Sequence, residues 1–104
     1  IMQRIKSSVP KADVVVTNPT HYAVALQYDR AKMSAPKVVA KGKNFMAEQI
    51  KKLARESGVP IVEKKSLARA LYQSVEVDQE IPVELFRATA EILAYVYKMN
   101  RKAA

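Results

Sequence analysis

Asn18-Pro19-Thr20-His21 places a side-chain amide beside a peptide bond whose nitrogen carries no hydrogen. An asparagine normally ages when the following backbone nitrogen attacks its carboxamide. Proline has no N–H, so that route is closed at Asn18. The reverse attack stays open. The Asn18 side-chain nitrogen adds to the Asn18 backbone carbonyl, a cyclic succinimide forms, and the bond to Pro19 breaks. Intramolecular attack of this kind reaches effective molarities of roughly 10⁵–10⁸ M when the groups are well oriented. An amide nitrogen is a poor nucleophile and needs help. His21 is the chain's only histidine, and histidine is the side chain that exchanges protons near neutral pH. It can take a proton from the amide or give one to the proline nitrogen. The Thr20 hydroxyl can hold the turn or polarise the carbonyl, and strand-end N–H groups can stabilise the oxyanion.

On spacing alone the ordinary reading outranks cleavage, because Asn-Pro is a common turn initiator. The same tripeptide resembles a glycosylation acceptor, but proline in the middle position excludes that.

The chain has 104 residues, enough for one small domain with one core. It has no cysteine, hence no disulfide framework or thiolate metal site, which fits a reducing compartment. One histidine argues against a multi-histidine metal site, and neither metal nor cofactor is expected. No apolar run approaches the roughly 20 residues of a membrane helix, and no signal peptide is visible. The net charge of +8 favours acidic partners, nucleic acid or anionic lipid. The lysines are scattered, and a solvated surface accounts for them.

Residues 1–12 read as a linker or a frayed helix ending at Pro10. Residues 13–17 form a β-branched run that reads as a buried strand. Tyr22, Val24, Leu26 and Tyr28 alternate with smaller residues at strand period, so an antiparallel hairpin is the simplest pairing. Residues 37–40, "KVVA", read as a third strand broken by Gly42. Asn44 should cap a helix with Met46, Ile50, Leu53 and Ala54 as its apolar stripe and Lys51, Lys52 and Arg55 opposite. Gly58 should end it as a left-handed cap, and "VPIVE" is a fourth strand. Strand, helix, strand over residues 38–62 predicts a parallel βαβ unit with a right-handed crossover. Ser66 should cap a short helix carrying Leu67, Leu71 and Tyr72. Pro82 should sit in the first turn of a long final helix. The fold class is therefore α/β, a small mixed sheet of about four strands flanked by helices, in a single globular domain over residues 13–104. In the last helix Leu85, Phe86, Ala90, Ile92, Leu93, Val96 and Tyr97 leave only a narrow charged stripe. Core packing is the favoured account of that breadth, and a partner-facing surface is the alternative.

"VPKADVVVTNPTHYAVALQYD", "MSAPKVVAKG" and "GVPIVEKKSLARALY" together resemble the cytoplasmic domain of the FlhB/YscU family of type III export-switch proteins, on the flagellar side. The resemblance runs from about Val9 to the last helix, and all positions of the Asn-Pro-Thr-His motif match. It implies a membrane part preceding Ile1, with residues 1–12 as the tail of a basic linker, and a domain facing the cytoplasm beneath the export gate of the bacterial inner membrane. It implies cleavage between Asn18 and Pro19 by asparagine cyclisation, with Thr20 and His21 assisting and the two pieces staying together. Cleavage would permit a switch from rod- and hook-type to filament-type export substrates. Expected partners are those substrates, other export-gate components and a hook-length control protein, with anionic lipid contact compatible. Such a domain turns over once and is not a turnover enzyme.

For substrate docking, an apolar patch of Ala35 and Pro36 with Ala90 and Leu93 is the candidate, and a charge at Ala90 or Leu93 should abolish binding while sparing the fold. The principal alternative is a basic nucleic-acid-binding module with a purely structural Asn-Pro turn. Against it, the chain shows no recognition helix or stacking motif, so no nucleic-acid partner is expected. A phosphate site at "AKGKN" lacks both P-loop and Rossmann spacing.

Overall fold

The computed structural model describes residues 2–103, with side chains through residue 100. Its elements run α1 (Met2–Ser8), β1 (Val14–Asn18), β2 (Tyr22–Gln27), β3 (Lys37–Lys43), α2 (Phe45–Ser57), β4 (Ile61–Glu63), α3 (Lys65–Ser74) and α4 (Phe86–Ala103). The sheet is four-stranded and mixed, in the order β3-β2-β1-β4, as the α/β expectation required. Strand β1 pairs antiparallel with β2, from Val14↔Leu26 to Asn18↔Tyr22, and parallel with β4. Strands β3 and β4 run in the same direction, as the βαβ reading predicts. They lie on opposite edges of the sheet, however, so α2 crosses over both central strands.

Period-two alternation divides the core in two. Val14, Val16, Val24, Leu26 and Val38 face α3 and α4, where Leu67, Leu71, Ile92, Leu93 and Val96 meet them. Val15, Ala23 and Ala25 face the other way, toward Ala47, Ile50 and Ala54 of α2. The small alanines let α2 approach closely on that side. A register shift at Ala25/Leu26, where Ala25 pairs with Ala40 and Leu26 with Val38, leaves Val39 as an extra residue. The bulge explains why the consecutive Val39 and Ala40 both belong to the α2 side.

Several local expectations are corrected. Of the linker or frayed helix ending at Pro10 expected over residues 1–12, the helix is what forms: α1 and a 3-10 turn at Val9–Lys11, with Ile5 and Val9 buried beside α2. Gly42 does not break β3. It lies inside the strand because a Cβ there would stand 2.7 Å from Met46 Cβ and 3.0 Å from the Met46 carbonyl carbon. Asn44 precedes α2 but its side chain caps nothing. It carries φ 53 and ψ −117, a left-handed-side conformation that an L side chain adopts only under strain. Ser66 lies within α3, whose cap position is Lys64. Gly58 ends α2 with φ 73, as its sequence position predicts. Pro82 precedes a 3-10 turn at Val83–Leu85, and α4 begins only at Phe86. Among the described residues no helix is long and apolar enough to cross a membrane.

Replacing Gly42 with alanine should force α2 away from the sheet. The expected cost is about 1–3 kcal/mol, typical of overpacking, read as a lower urea midpoint with an unchanged m-value. An unchanged midpoint would mean that α2 retreats freely.

Candidate functional site

Pro19, Thr20 and His21 carry the chain from β1 to β2. The His21 N–H donates to the Asn18 carbonyl at 2.9 Å, which closes a β-turn. That carbonyl belongs to the Asn18–Pro19 bond. The donor therefore already sits where negative charge would gather if the carbonyl carbon became tetrahedral. Asn18 is half-buried, and among the described residues its carboxamide makes no hydrogen bond. Asn18 and His21 line one cavity of about 450 Å³ together with Tyr22, Lys65, Ser66 and Arg69. Thr20 Oγ1 stands 2.8 Å from His21 Nδ1, so the two motif side chains form a hydrogen-bonded pair. Both residues are exposed, within reach of water that can carry protons.

The turn is held from outside the hairpin as well. The Asn44 N–H donates to the His21 carbonyl at 2.9 Å, and the Lys64 N–H donates to the Thr17 carbonyl at 3.0 Å. Lys51 Nζ donates to the Pro19 carbonyl at 2.9 Å. Lys51 reads in sequence as part of a solvated helix face, yet its side chain is only 16% exposed and pairs with Glu48 at 2.7 Å. No sequence signal marks it, because it meets Pro19 only through packing of α2 on the sheet. Below the turn, the rings of Tyr22 and Tyr72 stack with centroids 4.7 Å apart, and Lys41 Nζ stands 5.0 Å from the Tyr72 centroid.

A second feature lies along α4. Ala35, Pro36, Ala90 and Leu93, expected as one patch, do line one groove of about 300 Å³, with Tyr28, Ser34, Phe86, Ala94 and Tyr97. Core packing does not account for the breadth of the apolar face of α4. Thr89, Ile92, Leu93 and Val96 are buried, but Phe86 (41%), Tyr95 (57%) and Tyr97 (39%) stand exposed. Loss of water at the groove wall raises the Tyr97 phenol above its ordinary 10.0, and the Asp13 carboxylate adds to the rise. Tyr97 thus keeps its proton and remains a hydrogen-bond donor at the groove. Among the described residues no cluster of acidic, histidine or cysteine side chains could hold a metal.

Comparison with known proteins places these features in context. The profile of the FlhB HrpN YscU SpaS Family matches residues 1–96. The chain is 57% identical over 101 residues to the flagellar biosynthetic protein FlhB of Bacillus subtilis, covering 97% of this chain and 28% of that protein. It is 56% identical over 99 residues to its counterpart in Salmonella typhimurium, covering 95% of this chain and 26% of that one. The chain thus spans between a quarter and a third of the length of these relatives. Among solved structures it is similar to the cytoplasmic domain of FlhB from Shewanella putrefaciens, with a TM-score of 0.93, 44% identity, 99% of this chain and 79% of that one. It is also similar to a mutated EscU C-terminal domain, with a TM-score of 0.85, 33% identity, 88% of this chain and 92% of that one.

The burial of the docking patch separates its members, and one earlier expectation changes. Leu93 is 4% exposed and packs with Ile92 and Val96, whereas Ala90 is exposed. Leu93→Asp should therefore unfold or severely destabilise the domain, because an unpaired buried charge costs at least several kcal/mol. Ala90→Asp should leave the melting temperature nearly unchanged. Equal losses in the two variants would place Ala90 in the core.

Proposed function

This chain belongs to the FlhB HrpN YscU SpaS Family, and from that premise we propose that it is a single-turnover, self-cleaving export switch. The observation that supports this reading best is the His21 N–H bound to the carbonyl oxygen of the Asn18–Pro19 bond. The Asn18 side-chain nitrogen attacks its own backbone carbonyl carbon. The carbonyl oxygen takes the charge and is stabilised by the His21 N–H; losing one such donor costs enzymes about 10²–10³ in rate. As the C–N bond to Pro19 breaks, the proline nitrogen gains the proton that the amide nitrogen loses. The Thr20–His21 pair passes it, directly or through water. One piece then ends in a succinimide at Asn18 and the other begins at Pro19, and no cofactor enters the balance.

The cut leaves the fold standing. Strand β1 is central, bonded to β2 on one side and β4 on the other, and Val14–Thr17 are buried. The new end is held in the sheet while the turn is released. In the assembled apparatus this change of surface, at the cytoplasmic face of the inner membrane, would move export from rod- and hook-type to filament-type substrates. The groove at Ala35, Pro36, Ala90 and Leu93 is the proposed seat for those substrates. Other export-gate components, a hook-length control protein and anionic lipid complete the proposed partners.

In a denaturing gel with intact-mass analysis, the wild-type chain should give two pieces that meet between Asn18 and Pro19 and co-elute under native conditions. Asn18→Ala should give one. His21→Ala should slow the cut by about 10²-fold, the usual contribution of proton transfer. An intact wild-type chain after long incubation at neutral pH overturns the reading. Separately, Ala90→Asp should weaken binding of purified export substrates while cleavage continues, and undiminished binding removes the groove as the seat.

A further inference from the structure

Among the described residues, Lys51 is the charged side chain from another element that hydrogen-bonds to the turn, while Lys65 and Arg69 of α3 line the cavity beside it. Its Nζ lies 2.9 Å from the Pro19 carbonyl oxygen, thirty-two positions away in the chain. Glu48, one helical turn earlier in α2, binds the same ammonium at 2.7 Å and aims it. At 16% exposure the lysine stem is fixed along the protein surface and does not sample solvent freely. A hydrogen bond from an ionised donor is shorter and stronger than a neutral one.

Resting on the cleavage reading, we infer that Lys51 is a positioning residue for the break at Asn18–Pro19. It acts through Pro19 and touches neither the attacking nitrogen nor the carbonyl that is attacked. The proline ring fixes φ, so the direction of the leaving nitrogen follows wherever the Pro19 carbonyl is held. The His21 N–H holds the Asn18 oxygen on one side of the scissile bond, and Lys51 holds the proline on the other. With both ends fixed, the plane of the scissile peptide is held steady for attack by the Asn18 side-chain nitrogen. Without Lys51, the proline rocks on the His21 bond alone and the attack geometry is sampled less often.

The test follows cleavage from the moment of synthesis, in a cell-free translation time course read by gel and intact mass. Lys51→Met keeps the stem and removes the donor. It should slow cleavage by at least about tenfold, since small misplacements of reacting groups cost up to roughly 10²-fold. Lys51→Arg keeps a charged donor and should restore the rate to within a few-fold. In an Asn18→Ala background, where no cut occurs, Lys51→Met should melt with the background protein. Wild-type speed in Lys51→Met overturns the inference. So does a slowdown that tracks a fall in melting temperature and that arginine fails to restore, because Lys51 is then only a clamp between α2 and the sheet. A wild-type chain that stays intact overturns the cleavage reading itself, and this inference with it.

Discussion

The hydrogen bond from the His21 N–H to the Asn18 carbonyl is the constraint on which the site depends. It makes residues 18–21 a turn, and it also singles out one peptide oxygen for stabilisation. A lone turn at a hairpin end would flex. Here the neighbouring backbone is tied to α2 through Asn44 and to the start of α3 through Lys64. The strained backbone of Asn44 shows what that tie requires: the residue accepts an unfavourable φ and directs its N–H at the His21 carbonyl. Strain of that kind persists only where the surrounding structure over-determines it.

Those ties exist because the sheet is covered on both faces. Alanines at positions 23 and 25 let α2 lie close, and Gly42 lets its first turn come closer still. That approach brings Asn44 and Lys51 to the turn. On the other face, valine and leucine side chains meet α3 and α4. Strand β1 lies between two other strands and within both cores. Each fully buried valine contributes about 1.5–3 kcal/mol, and α1 adds Ile5 and Val9 ahead of it. A break after Asn18 would leave one piece anchored by α1, β1 and both cores. The arrangement separates the turn, which the proposed cut would release, from the sheet, which it would leave paired.

The groove beside α4 is built differently. One side of that helix, at Thr89, Ile92, Leu93 and Val96, is the inner wall of the core. The adjoining side, at Phe86, Ala90, Ala94 and Tyr97, faces the loop at Ser34–Pro36 across an apolar furrow. Leu93 belongs to both, as part of the floor of the groove and part of the core. The helix is apolar over most of its circumference because it serves an interior and a surface at once.

Element types were legible in the sequence because they rest on local rules. Period-two alternation placed the strands, Gly58 ended α2, and Pro19 closed the usual deamidation route at Asn18. Family resemblance in the motif raised cleavage above an ordinary turn. Tertiary structure decided the rest. Gly42 looked like a strand break because its reason, the approach of α2, is not local. Residues 1–12 read equally as linker or frayed helix because Ile5 and Val9 make too short an apolar pattern until α2 and the sheet give them a surface. The pairing of β4 with β1, the exposure of Phe86 and Tyr97, and the hydrogen bond from Lys51 to Pro19 all depend on contacts between residues far apart in the chain. Such contacts follow from how whole faces pack, and no stretch of sequence carries them alone.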